Sequence, residues 1–207
     1  MIERQQGRVK FSSAVRKAIV RPWQLLLLEP IVLLIPIWLA ILYGTLFLLF
    51  GAFPIVFTSG RGWSQGTSGL AFLGVAVGMM LGSGYAFFDN QRYIRLEKEF
   101  GAGEVEPEAR LPPAMVAAVA IPVGMFWFAW TSYLSIHWID CIIGSIPFGM
   151  GMILAFLACT NYLVDSYTIY AASVLAANTI LRSLFGAVFP LFTPTMYENL
   201  DTAKGLG

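Results

Sequence analysis

The sequence predicts an all-α membrane protein with five transmembrane helices. Apolar residues make up 57% of the 207 positions and charged residues 12%, whereas a soluble globular domain carries about 25% charged residues. The mean hydropathy is +0.71. Four stretches contain no Asp, Glu, Lys or Arg, namely residues 30–60, 62–88, 111–139 and 141–164. Each exceeds the ~20 apolar residues that cross a bilayer, and a fifth stretch, 167–190, is interrupted only by Arg182.

The positions of the basic residues predict the orientation and the domain limits. Ten Lys and Arg residues precede the first span or lie between the second and third spans, and two, Arg61 and Lys204, lie on the other side. Because basic residues favour the cytoplasmic side, the N-terminus and the loop 89–113 are expected there. The prediction is therefore a cytoplasmic segment 1–22, a transmembrane domain 23–192 and an extracellular tail 193–207. Its spans are placed at about 28–53, 68–88, 114–133, 139–160 and 167–190.

Several functional classes are not expected from the composition and motifs. A net charge of +1 offers no dense basic patch for a nucleic-acid partner. The sequence lacks HExxH, a serine nucleophile elbow and a phosphate-binding loop, so no enzyme is expected. His137 is the only histidine and lies in a short turn, which makes a poor metal site, and no cofactor is expected.

The first two spans carry one candidate pathway residue and one packing pattern. Glu29 precedes Pro30 at the expected cytoplasmic mouth, where it either titrates during transport or extends to the interface. In the second span, Gly74, Gly78 and Gly82 recur every fourth residue. They therefore share one helix face, which predicts close approach of a partner helix backbone.

Charged and aromatic residues mark the next two elements. Asp89 and Arg92 follow the second span, and they either latch neighbouring helices electrostatically or belong to a solvated loop that fixes topology. In the third span, Trp127 stands between two phenylalanines. This aromatic group suits a pocket for flat apolar ligands, although tryptophan also favours the membrane interface.

The stretch 161–192 is the most informative, because it is apolar enough to span the membrane yet contains Asp165, Asn178 and Arg182. An ionisable group inside a span costs at least ~2.5 kcal/mol, so it usually faces protein or water. Asp165 and Arg182 are 17 residues apart, roughly 25 Å along a helix, and cannot pair within it. Asn178 and Arg182 share a face. Arg182 is expected either to extend toward the interface or to pair with a carboxylate on another helix.

Several long motifs resemble the C-terminal half of fungal drug:proton antiporters of the major facilitator superfamily. They cover Arg21–Leu200 and include RPWQLLLLEPIVLL, GAFPIVF, PEARLPP, FWFAWTS, IHW and NYLVDSYTIYAASVLAANTILRSLFGAVFPLF. The resemblance implies a partial major facilitator fold whose five spans correspond to helices seven to eleven of twelve, with residues 1–22 ending the central loop. It also implies a plasma-membrane exporter that alternates access by rocking two halves. GSGYAFFDNQR would be a degenerate copy of the family's gating signature.

The resemblance implies export of amphipathic organic compounds or drugs in exchange for protons. Candidate residues for the substrate or proton pathway are Glu29, Trp127, Tyr170, Asn178 and Arg182, and candidates for a conformational latch are Asp89, Arg92 and Asp165. The family's first six helices are not matched, and ENLDTAKGLG follows Tyr197 where a twelfth helix would begin. The chain is thus expected to be incomplete as a transporter and to need a separate N-terminal six-helix half. The alternative is a non-transporting membrane interaction protein, either a truncated product or a subunit of such a pair.

Overall fold

The computed structural model describes residues 30–101, 106–133 and 135–204. Within these ranges the chain is helical and contains no strand. Among the described residues, five helices are long and apolar enough to cross a membrane: α1 (Pro30–Gly60), α2 (Gln65–Phe100), α3 (Pro112–Thr131), α4 (Trp138–Ser166) and α5 (Ala171–Lys204), whose apolar span is Ala171–Leu191. The expected all-α fold with five apolar helices is confirmed. Glu29 and the segment 1–22 lie outside the described residues.

The helix ends follow local chemistry. The regular α-helix of α1 ends at Pro54 and continues as the π-helical turn Ile55–Gly60. Proline has no backbone N–H and displaces the carbonyl one turn before it, so the i to i−4 ladder changes there. α2 ends at Phe100 and is followed by Gly101, whose φ of 102° suits a residue without Cβ. A 3-10 turn, Thr168–Tyr170, separates α4 from α5.

Helix α4 is the centre of the bundle and the most buried of the five. α2 and α3 both pack against it, whereas α1 packs mainly against α5. Small residues permit the close approach, because a Cβ on Gly149 would lie 3.0 Å from the Cα of Val75. On the α1 and α5 side, a Cβ on Gly186 would lie 3.1 Å from the ring of Phe47.

An aromatic cluster joins α1, α2 and α3 at the end of the bundle where α1 finishes. The Phe53 ring centroid lies 4.7 Å from that of Phe72 on α2 and 5.1 Å from that of Phe128 on α3. Trp63 packs against Trp138, the first residue of α4, at 5.4 Å. The bundle exterior is also apolar, since side chains such as Met80, Phe88 and Val119 are exposed. A soluble monomer rarely exposes so much contiguous apolar surface, which fits a multi-pass membrane protein.

Candidate functional site

Arg182 lies near the middle of α5, where three helices meet. Its guanidinium carbon is 5.0 Å from the ring centroid of Tyr43 on α1 and 5.1 Å from that of Phe156 on α4. No carboxylate of the described residues pairs with it. The sequence predicts extension toward the interface or an ion pair with another helix, and among the described residues the guanidinium lies between two aromatic rings. Nothing in the sequence pattern singled out these two rings.

Asn178 lies one helical turn before Arg182 on the same side of α5. Its side chain is 3% exposed, and its Oδ1 atom accepts no hydrogen bond. The neighbouring Val174 and Ala177 are equally buried. An unsatisfied buried acceptor costs about 1–3 kcal/mol, so a group of this kind calls for an explanation.

The two other pathway candidates that the structure describes, Tyr170 and Trp127, lie elsewhere in the bundle. Tyr170 belongs to the turn before α5 and is 39% exposed. It is 12 residues before Arg182, about 18 Å along a helix. Trp127 lies on α3, where its ring contacts α4 at Gly144 and is 45% exposed. The structure therefore brings Asn178 and Arg182 together, but not Tyr170 or Trp127 with them.

Asp165, at the end of α4, is part of a polar cluster. Its Oδ2 atom lies 2.6 Å from Nε of Arg110, which stands just before α3. The hydroxyl of Tyr93 on α2 donates to the same oxygen at 3.4 Å. The Arg110 guanidinium also stacks on the Tyr93 ring at 3.7 Å and donates to Asn90 Oδ1 at 3.2 Å. One arginine thus ties three elements together.

The other two latch candidates lie beside this cluster. Asp89 pairs with Arg92 at 3.1 Å, but both belong to α2, so their ion pair does not join two helices. The connection comes from Arg92 Nη2, which donates to the carbonyl of Ala109 at 2.9 Å. A cavity of about 360 Å³ opens here, and Asp89, Asn90 and Arg110 are among its lining residues.

In the sequence, Arg110 contributes only to the predicted orientation, as one of the ten basic residues expected on the cytoplasmic side. One signal in the sequence points to a role in holding helices together. Arg110 ends the motif PEAR, directly before Leu-Pro-Pro at the start of α3.

The opposite end of the bundle has structural polar contacts. His137 caps α4, since its Nδ1 atom accepts from the backbone N–H of Ile139 at 3.4 Å. Arg61 donates from Nη2 to the carbonyl of Tyr133 at 3.0 Å. The described residues hold no group of three potential metal ligands, and Cys141 and Cys159 are buried free thiols on α4.

Comparison with known proteins identifies the family. The family model of the Major Facilitator Superfamily matches residues 2–190. The chain is 58% identical over 199 residues to the major facilitator superfamily multidrug transporter mdrA of Aspergillus fumigatus, covering 96% of the chain and 33% of that protein. It is 56% identical to the efflux pump MFS2 of Trichophyton rubrum, covering 95% and 33%, and 54% identical to the efflux pump FUB11 of Gibberella fujikuroi, covering 90% and 32%.

No solved structure matches the chain. The chain spans about a third of the length of these curated relatives. It belongs to the Major Facilitator Superfamily, as its resemblance to fungal multidrug exporters implied.

Proposed function

We propose that this chain forms part of a transporter that exports amphipathic organic compounds from the cell in exchange for protons. In this proposal it supplies helices seven to eleven and works with a six-helix N-terminal half in the plasma membrane. The names of the relatives, a multidrug transporter and two efflux pumps, support the export function. The distribution of basic residues supports a cytoplasmic N-terminus.

The observation that carries the proposal is the presence of two polar side chains, Arg182 and Asn178, on the apolar helix α5. Arg182 is a permanent cation inside an apolar span, and Asn178 is an unsatisfied acceptor one turn away. Both side chains raise the free energy of inserting the helix into a bilayer, and such residues usually mark a substrate or ion pathway. A purely structural membrane helix needs neither residue, because apolar side chains would pack there at lower free energy.

The cluster around Arg110 acts as the conformational latch in this proposal. Its ion pair with Asp165 joins the end of α4 to the segment before α3, and Tyr93 adds α2. Asp89 positions Arg92, which holds the backbone at Ala109. These contacts hold α2, α3 and α4 together in one conformation, and a latch between two access states has to do this.

A reconstitution experiment tests the proposed function. The chain and the N-terminal six helices of the Aspergillus fumigatus relative are placed together in liposomes with an acidic lumen. Radiolabelled amphipathic compounds, one neutral azole and one aromatic acid, are added outside. We expect accumulation of at least one compound, because protons leaving the lumen drive it inward, and we expect a protonophore to abolish it.

Liposomes that hold either half alone are the matched controls. Accumulation that survives the protonophore would exclude proton exchange. Failure to accumulate either compound with both halves present would contradict transport and favour the non-transporting interaction protein.

A further inference from the structure

The hydrogen-bonding capacity of Arg182 is unused in the described structure. Tyr43 and Phe156 contact the guanidinium through their ring faces. Such contacts attract the positive charge but accept none of its five N–H donors. No described residue pairs with Arg182 as an anion or takes a hydrogen bond from it. The guanidinium therefore keeps a free fork of donors, meaning N–H groups that make no hydrogen bond to a described residue, in the middle of the span.

The free fork has a well-defined chemical complement. A planar guanidinium matches a carboxylate or a similar oxyanion through two parallel hydrogen bonds, which are stronger than neutral ones. The two aromatic rings beside it provide flat apolar surface for an aromatic body. Asn178 Oδ1, one turn away and also unpartnered, can accept a hydrogen bond from a hydroxyl group.

We infer that Arg182 binds the acidic group of the exported compound, and that the preferred substrates are amphipathic aromatic acids. Tyr43 and Phe156 contact the aromatic part of the compound, and Asn178 accepts a hydrogen bond from a hydroxyl substituent. This inference rests on the proposed export function and names its substrate class. Under this inference, the guanidinium of Arg182 forms its ion pair with the substrate and not with a carboxylate of the remaining helices.

Binding to the purified chain tests this inference directly. The chain is placed in nanodiscs of uncharged lipid, and equilibrium dialysis measures the Kd of 2-naphthoate and of 2-naphthamide at about pH 7, where the acid is ionised. The two probes share size and apolar surface but differ in charge. We expect the acid to bind about 10- to 100-fold more tightly than the amide, the range for a hydrogen bond to a charged group.

Variants at Arg182 supply the decisive comparison. Arg182→Gln should remove the preference for the acid, whereas Arg182→Lys should retain part of it, because the charge remains but the fork does not. Arg95→Gln is the matched control, since it removes an exposed positive charge from α2. Size-exclusion profiles and helical content check folding. Equal Kd values for acid and amide in the unaltered chain, or an unchanged preference in a folded Arg182→Gln variant, would overturn the inference.

Asn178 has its own probe pair. We expect 6-hydroxy-2-naphthoate to bind several-fold more tightly than 2-naphthoate, and Asn178→Leu to abolish that difference while keeping the preference for the acid over the amide. A hydroxyl advantage that persists in Asn178→Leu would remove Asn178 from the site.

A repeat with both transporter halves separates the two hypotheses. If the preference for the acid disappears when the six-helix half is present, Arg182 pairs with a carboxylate of that half and the inference is wrong. If the preference persists while neither radiolabelled compound accumulates in liposomes, the binding site stands and the export function fails. If both compounds accumulate without any preference for the acid, export stands and the substrate class fails.

Discussion

Single residues determine how the ends of the helices are held together, and Arg110 is the clearest case. Its side chain is 20% exposed and that of Asp165 is 27% exposed. A pair at this exposure is partly screened by solvent, so its contribution to stability is modest. The stacking on Tyr93 and the short separation from Asp165 increase it, because the guanidinium is already fixed in one orientation.

We therefore predict a coupling energy of about 1 kcal/mol between Arg110 and Asp165 in a double-mutant cycle. The variants are Arg110→Gln, Asp165→Asn and the double substitution. The free energy of unfolding is measured by denaturant titration in mixed micelles. A parallel cycle with Arg95→Gln and Asp165→Asn is the control and should be additive. Additivity in the Arg110 cycle as well would show that the ion pair does not stabilise the fold.

At the same scale, part of the candidate site was visible in the sequence and part was not. Arg182 and Asn178 were singled out because polar groups are rare in an apolar span. The aromatic neighbours of Arg182, Tyr43 and Phe156, lie on other helices among many aromatic residues, so no local pattern identifies them. The ion pair between Arg110 and Asp165 joins positions 55 residues apart, and such long-range pairing follows only from helix packing.

At the scale of helices, the glycine face of α2 determines how closely α2 approaches α4. A Cβ on Gly78 would clash with the backbone carbonyl of Ile146 and lie 2.9 Å from the backbone nitrogen of Met150. Backbone atoms in the interior of a packed helix cannot move aside as a flexible side chain can. Gly84, two residues beyond the last glycine of the face, has nothing within 4 Å of its added Cβ.

This difference gives a matched pair of substitutions. Gly78→Ala should lower the free energy of unfolding by about 1–3 kcal/mol through overpacking, and Gly78→Leu should lower it further. Gly84→Ala should leave stability unchanged or raise it slightly, because alanine favours a helix by about 1 kcal/mol over glycine. Thermal unfolding in detergent measures both. Equal stability of Gly78→Ala and Gly84→Ala would contradict the close packing of α2 on α4.

Helix existence was predictable, but helix ends and neighbours were not. Charge-free stretches indicate where a span must lie, yet α2 continues through the charged residues after Asp89 until Gly101 ends it. The π-helical turn after Pro54 depends on local hydrogen bonding that hydropathy does not register. That α1 packs against α5 could not be inferred, because a helix that is apolar on all sides gives no indication of its partner.

At the scale of the whole molecule, the direction in which the chain is inserted into the bilayer decides whether the Arg110 cluster lies at the cytoplasmic or the outer end of the bundle. The exposed faces of α2 and α3 carry Met80, Phe88 and Met115, which suits contact with lipid. The loop 89–113 of the sequence prediction, which includes the charged end of α2, carries Arg92, Arg95, Lys98 and Arg110. If that loop is cytoplasmic, then the Arg110 cluster lies at the cytoplasmic end and the aromatic cluster around Phe53 at the outer end.

Two cysteine substitutions at opposite ends of α2 test this orientation. Gln65 and Glu99 are both exposed and are 34 residues apart, about 51 Å along a helix, which exceeds the ~30 Å hydrocarbon core. In a background with Cys141→Ala and Cys159→Ala, a membrane-impermeant maleimide should label Gln65→Cys on intact cells and Glu99→Cys only after permeabilisation. The reverse pattern would place the loop 89–113 and the Arg110 cluster outside the cell. Labelling of both sites on intact cells would show that α2 does not cross the membrane.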